Sequence, residues 1–293
     1  MALRYLLIRY IPVNETYTGW KFNMMFSCLI SCFYKDSPAY LADALQSICN
    51  QTLLPTEVVF VEDGPLTDEL YLVIEGYQSK INLVRVQLKQ NKGLGFALNY
   101  GMLQCKYDVV IRMDTDDIAL PDRFKKQIDF LAQNPQVDIV GTWAKDINET
   151  GEVIGERTYP TDHKKLYNII WACPIIHPSV AYRKDAILRI GSYDINIPRR
   201  QDYDLWIRAA VAGLKFANIP EYLLYYRFTN QYYKKNGISV VWAQSKIGIR
   251  GINKVGGGLY AYLAVISPVL RALLPLSVVK ILHPLTKKFD PRT

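Results

Sequence analysis

The sequence predicts an open α/β sheet, and three observations carry that prediction. Apolar runs of strand length alternate with amphipathic stretches, the runs are apolar on both faces, and polar clusters close three of them. The runs at residues 26–33 (FSCLISCF), 57–61 (EVVFV), 81–86 and 108–113 have the unbroken hydrophobicity of strands covered on both sides. Between them, Leu41, Leu45 and Ile48 recur at helical spacing, and helices are predicted through residues 70–77 and 97–105. Strand and helix thus alternate through four strands, as in a mostly parallel sheet whose ligands gather at the carboxyl ends of its strands.

Asp36 or Ser37 can cap the first helix, and Pro38 suits its first turn. The second half reads as α+β. It holds a helix over 121–133, a strand over 138–142, a turn at 149–152 and a Pro-framed stretch at 174–182 (PIIHPSVAY), then a helix over 202–212 and a strand-like 215–227. Residues 255–285 are mostly apolar but interrupted by Pro268, Arg271, Pro275 and Lys280. The expected division is an N-terminal extension over 1–24, a main domain over 25–228 and a basic, partly apolar helical region over 229–293.

With 293 residues, half of them hydrophobic, the chain can bury a sizeable core. Its net charge of +8 is unevenly placed: residues 227–293 hold 11 basic residues and a single acid, Asp290. Such a tail faces an anionic surface, lipid or nucleic acid. Tyr232, Tyr233 and Trp242 supply some aromatic interleaving, but the apolar run beyond them fits lipid better, so no nucleic-acid partner is expected. Five cysteines, Cys28, Cys32, Cys49, Cys105 and Cys173, are odd in number and lack paired metal-type spacing, which suits a reduced, cytoplasmic setting. The run Leu6-Leu7-Ile8 is too short for a signal peptide or a span, and Met24-Met25, just before the first strand, is a second candidate start of translation.

The chemistry centres on VVIRMDTDD, where Asp114, Asp116 and Asp117 crowd the end of the fourth strand. Carboxylates at i and i+2 of an extended chain point to one side, so Asp114 and Asp116 can address one cation and the diphosphate it carries. Hard oxygen ligands suit Mg²⁺ or Mn²⁺. The plainer alternative is that Asp117 or Asp122 caps the helix starting at Pro121. An apolar strand ending in Asp-x-Asp also opens the Asp-based phosphatases, but those carry Thr or Val where Ile118 stands and begin the chain with the motif.

Asp63, on the turn Glu62-Asp63-Gly64-Pro65, can accept the imide N–H of uracil or simply close its own turn. Gly93 and Gly95 open a helix and serve a tight turn or close packing. Asp202 stands where a helix begins and can act as an anionic proton acceptor or as an ordinary cap. His177, one of three histidines, reads as a structural residue or a ligand contact, and no His/Cys cluster suggests zinc.

Together, LISCFYKDSPAYLADALQSICNQTLLPTEVVFVEDGP, NKGLGFALNYG, RMDTDDIALPDRF, HPSVAYRKDAILRIGSYD, RRQDYDLWIRAAVAG and IPEYLLYYR resemble the family 2 glycosyltransferases of bacterial envelope polysaccharide assembly, from about residue 26 to 227. VEDGPLTDELY and RMDTDDIALPDRF look like the amylovoran-type enzymes. The resemblance implies the GT-A fold and inverting transfer of a hexose from a nucleotide sugar, UDP-Glc or UDP-Gal, to a polyprenyl-diphosphate-linked saccharide. It implies O-antigen, capsule or exopolysaccharide synthesis, peripherally at the inner face of the cytoplasmic membrane. It assigns Ser31, Phe33, Asp63, Gly93 and Asp114 to the nucleotide, Asp116 with Asp114 to a Mn²⁺ or Mg²⁺ ion, and Asp202 to the general base. His177 and Arg227 fall in motifs that meet the diphosphate or acceptor. Two departures stand out: Gln201-Asp202 replaces the family's Glu-Asp, and no His follows Tyr226-Arg227. A module that binds the sugar nucleotide without catalysis is the competing reading, and the retained Asp116 and Asp202 oppose it.

Overall fold

The computed structural model describes residues 24–228, 238–274 and 290–292. Residues 1–23 of the expected extension, the question of where translation starts within it, and residues 229–237 (with Tyr232 and Tyr233), 275–289 and 293 of the C-terminal region lie outside these.

The predicted alternation appears as β1 (Phe26–Cys32), α1 (Pro38–Cys49), β2 (Glu57–Glu62), α2 (Asp68–Tyr77), β3 (Leu83–Gln87), α3 (Leu94–Gln104) and β4 (Val109–Met113). β1 pairs in parallel with β2 and β4, and β2 with β3. The order β3-β2-β1-β4 therefore changes direction between β1 and β4. That reversal is the switch point outside which ligands bind in such sheets.

Beyond β4 the sheet becomes mixed. There follow β5 (Ile118–Ala119), α4 (Arg123–Gln133), β6 (Ile139–Ile147), β7 (Val153–Arg157), α5 (His163–Asn168), β8 (Ala181–Arg183), α6 (Lys184–Arg189), α7 (Gln201–Val211) and β9 (Phe216–Arg227). β8 lies antiparallel between β4 and β6, β6 runs parallel to β9, and β5 pairs antiparallel with the end of β9. The strand expected over 138–142 runs on to Ile147, because β9 and β7 give its second half partners on both sides. The turn expected at 149–152 is the tip of the β6–β7 hairpin, where Asn148 Oδ1 accepts the N–H groups of Thr150 and Glu152.

Period-two alternation divides β1 between two cores. Phe26, Cys28 and Ile30 pack with α1, α2 and α4, while Leu29 joins Val59, Val61 and the helices α3, α6 and α7 on the other face. At Gly101 a Cβ would meet Leu29 Cδ1 at 2.6 Å, so α3 lies directly on the sheet. The residues from 255 onward do not form one apolar stretch. Val255 closes α8 (Ile238–Val255), three glycines break the chain, and α9 (Leu259–Ala272) begins anew. Ile252, Ala261 and Val265 of this helical pair enclose Trp171.

Candidate active site

The triple-Asp turn sits at the switch point and is tied there from three directions. Thr115 Oγ1 donates to Asp36 Oδ2 at 2.9 Å, joining the end of β4 to the end of β1. Arg112, fully buried in β4, forms an ion pair with Asp114. Arg227, at the end of β9, donates its backbone N–H to Asp117 Oδ1 at 2.9 Å and its Nε–H to the Asp116 carbonyl at 2.9 Å. Its Nη2 reaches Asp43 at 2.9 Å, and the guanidinium lies over the Tyr40 ring. Arg227 thus meets the turn through the Asp117 carboxylate and the Asp116 backbone carbonyl.

One carboxylate oxygen from each of Asp114, Asp116 and Asp117 lies within 4.8 Å of the other two. Burial raises the Asp116 carboxyl above its ordinary range, and the charges of Asp114 and Asp36 add to the effect. Burial likewise raises Asp117 and pushes Asp36 up to about 6. Asp117 Oδ2 is buried without a hydrogen-bond donor among the described residues. Crowded oxygen donors with an orphaned buried oxygen fit a hard divalent cation, whose charge reverses the local cost of ionising them.

Of the plainer alternative, Asp122 does hold the N-cap position of α4, but its side chain makes no cap hydrogen bond. Asp122 Oδ1 accepts from Thr52 Oγ1 at 2.9 Å, and Gln51 Oε1 meets the Phe124 N–H at 3.0 Å. Ser37 takes the cap of α1, while Asp36 turns back to accept the Phe33 N–H at 3.1 Å.

Asp63, buried at the end of β2, does not bond its own turn. Its Oδ1 accepts the Lys92 N–H at 2.7 Å, and its Oδ2 accepts the Gly93 N–H at 2.9 Å and Asn91 Nδ2 at 3.0 Å. Four lone-pair positions less three bonds leave one on Oδ1. Gly64 permits this approach: its φ is +88°, and a Cβ there would sit 2.5 Å from Asn91 N. Ser31 and Phe33 lie half-buried at the end of β1, which pairs with β2 through Ser31 and Val61.

Asp202 stands in the first turn of α7, whose cap position is Arg200, so the ordinary N-cap alternative does not hold. Burial raises its carboxyl above the usual value, while Arg200 and then Arg112 oppose the shift. Asp204 binds Arg208 Nε at 2.6 Å, as a first-turn acid at i,i+4 should. His177 is buried, its Nε2 at 2.8 Å from Tyr193 Oη, with the rings of Tyr193 and Trp206 edge-on. Burial, with Arg112 nearby, holds it well below the ordinary imidazole value, so it is neutral.

Arg112 is the residue sequence reasoning missed. It pairs with Asp114 and acts on Asp202, His177 and Tyr193, linking the triple-Asp turn to the start of α7. Its signal was present: one cation inside the apolar run VVIRM is costly unless paired.

The family model described as Glycosyl transferase family 2 matches residues 27–191. The UDP-Gal:alpha-D-GlcNAc-diphosphoundecaprenol beta-1,3-galactosyltransferase of Escherichia coli is 36% identical over 223 residues, 76% of this chain and 80% of that protein. The amylovoran biosynthesis glycosyltransferase AmsE of Erwinia amylovora is 33% identical over 271 residues, 90% of this chain and 100% of its own. In fold the chain is similar to S. aureus TarS 1–349 in complex with UDP, at a TM-score of 0.65 and 18% identity, covering 87% of this chain and 76% of that one. The mixed sheet with its switch-point carboxylates is the GT-A fold. Sequence identity of a third or more across most of the chain, on that fold, places the protein in glycosyl transferase family 2, and it is a glycosyltransferase.

Proposed function

We propose that the protein transfers a glucosyl or galactosyl unit, with inversion, from a UDP-sugar to a polyprenyl-diphosphate-linked saccharide in O-antigen, capsule or exopolysaccharide synthesis. The observation that carries this reading is the gathering of three carboxylates within 4.8 Å at the switch point, a set suited to a diphosphate-bound cation. The acceptor class follows the E. coli relative, named for a diphosphoundecaprenol-linked sugar.

Asp116 and Asp114 would hold a Mg²⁺ or Mn²⁺ ion, which supplies Lewis-acid neutralisation of charge building on the diphosphate. Asp63 offers its free Oδ1 lone pair to the uracil imide N–H, with Ser31 and Phe33 alongside. Gly93 keeps the loop on Asp63, and Arg227 fixes the backbone carbonyl of Asp116. Asp202 takes the proton of the acceptor hydroxyl. As that oxygen bonds to the anomeric carbon, the bond to the diphosphate oxygen breaks and UDP departs with the electron pair. His177, neutral and bound to Tyr193, would belong to the diphosphate or acceptor side.

Among the described residues no helix is long and apolar enough to cross a membrane. The proposed membrane contact is therefore interfacial: α9 exposes Leu259, Leu263 and Leu270, and Arg250 and Lys254 stand exposed on α8.

The test is UDP release from a panel of UDP-sugars, with and without EDTA, on a decyl-diphosphate-linked N-acetylglucosamine acceptor, with the product linkage determined. Metal-dependent release that needs the acceptor is expected; turnover untouched by EDTA removes the cation from the reading. In liposome flotation, Leu263→Glu with Leu270→Glu should lower recovery on anionic vesicles, and equal recovery would exclude α9 as the contact.

A further inference from the structure

Beside the acceptor half lies a cleft of 660 Å³ that no step above uses, with Trp143, Thr158, Tyr159, Lys165, Asn168 and Arg292 in its walls. Its volume is in the range of small-molecule sites. The Trp143 indole is fixed in place, since Nε1–H donates to the Tyr159 carbonyl at 2.9 Å and the ring packs on Tyr222 with centroids 5.6 Å apart. A held aromatic ring presents apolar area without the entropy cost of ordering it.

The polar walls narrow the ligand further. None of the lining residues is an acid. The two cations already have acidic partners, Lys165 with Asp162 at 3.7 Å and Arg292 with Asp290 at 2.6 Å, so the cleft carries little net charge. Thr158 and Asn168 add a hydroxyl and an amide. An aromatic face framed by neutral hydrogen-bonding groups matches a pyranose, which has C–H bonds on its faces and hydroxyls around its edge. A purely apolar ligand would leave those polar groups unpaired.

The cleft wall is also joined, by chain and hydrogen bond, to the start of α7, which carries Asp202. Ile169 in its wall leads into the short turn Ile170–Ala172, where the Trp171 carbonyl accepts from the Tyr203 hydroxyl, and Tyr203 directly follows Asp202. Asn218 Nδ2 bridges the carbonyl of Pro160, another wall residue, at 2.8 Å and that of Pro174 at 3.3 Å. In sequence between these ties stands half-buried Cys173, whose thiol is pushed up by burial and by the Asp202 charge, with Arg292 opposing.

We infer that this cleft seats a pyranose unit of the acceptor saccharide and delivers its hydroxyl toward Asp202, a placement that rests on the transferase reading above. Trp143 is the positioning residue for that sugar, with Asn168 and Thr158 binding its edge.

Trp143→Leu and Asn168→Ala in the full chain test it, on the decyl-diphosphate-linked N-acetylglucosamine. KM for this acceptor should rise about tenfold in Trp143→Leu, the value of one aromatic stacking contact, and less in Asn168→Ala. KM for the UDP-sugar, and its slow hydrolysis by water, should keep the parent's values. An unchanged acceptor KM in Trp143→Leu, or a rise confined to the donor, overturns the assignment. If Trp143→Leu lowers Tm by more than a few degrees, Asn168→Ala and Lys165→Ala, both at exposed positions, decide by the same criterion. A parent protein that releases no UDP from any sugar overturns the transferase reading instead. The cleft is then judged by quenching of tryptophan fluorescence by the same acceptor, and equal affinity in parent and Trp143→Leu sinks it.

Discussion

The part of the chain before residue 118, the proposed nucleotide half, and the part after it, the proposed acceptor half, solve the same problem, holding a side chain where the backbone does not naturally point, by different means. Before residue 118 the positive φ angles fall on glycine, at Gly64 and Gly93, and both adjoin Asp63. From 173 to 200 three non-glycine residues take positive φ: Cys173 at 55°, Ser192 at 52° and Arg200 at 66°. The nucleotide half is thus shaped without strain by residue choice. The acceptor half is held in disfavoured conformations by packing and by long ties such as Arg208 Nη2 to the Ser192 carbonyl at 2.6 Å.

The largest test of this division separates binding from chemistry. Asp202→Asn should lower kcat by about 10²–10⁴ while leaving UDP affinity near the parent's value, because a general base acts only as the hydroxyl reacts. Asp116→Ala should instead weaken metal-dependent UDP binding, measured by equilibrium dialysis. If both variants lose UDP affinity equally, the two halves are not functionally distinct.

The next effect is one of stability. Gly64→Ala places a Cβ 2.5 Å from the backbone N of Asn91 at φ +88°, so a loss of about 1–3 kcal/mol and a raised donor KM are expected. Ser192→Gly should change stability by no more than about 1–2 kcal/mol, since it relieves a left-handed residue whose buried hydroxyl has no partner among the described residues. Urea denaturation compares the two, and a Ser192→Gly loss as large as that of Gly64→Ala would break the comparison.

The same contrast explains what the sequence revealed. β1 to β4 were legible because each strand is a local apolar run, and polar clusters close β1, β2 and β4, with Asp63, Asp114 and Asp116 at those ends. β8 was hidden in PIIHPSVAY, since three residues without alternation become a strand only when β4 and β6 flank them. The clamp by Arg227 was equally hidden: its contacts with Asp43 and Asp116 span 184 and 111 residues, and no local pattern encodes them. Asp202 was singled out by its helix start, but the burial that raises its carboxyl and the Arg112 charge that opposes the shift come only with folding.

The raised Asp202 value predicts a pH effect smaller than that of Asp202→Asn, on the proposal that Asp202 is the base. The base works ionised, so kcat falls as pH drops through the raised Asp202 value, above the ordinary carboxyl value of about 3.9. Arg200 favours the anion, and Arg200→Met should move the acid limb of kcat to higher pH. A limb that stays in place in Arg200→Met would detach Arg200 from the base.

The smallest effect is a stability slope that other groups conceal. His177 is held neutral by burial, so below about pH 6.5 the unfolded chain takes up a proton that the folded chain refuses, and stability falls by about 1.4 kcal/mol per pH unit. Asp36, raised from 3.8 to about 6, works with the opposite sign, since the folded state binds its proton first and gains stability as pH falls through that window. The two slopes overlap between about pH 4 and 6, so the whole-protein curve isolates neither. His177→Gln keeps a hydrogen-bonding group for Tyr193 and removes the titration. The stability difference between parent and variant should be flat above pH 7 and shift toward the variant as pH falls from 6.5 to 5. A difference that stays flat to pH 5 would mean that His177 accepts its proton inside the fold. Tyr193 and Trp206 would then enclose a cation.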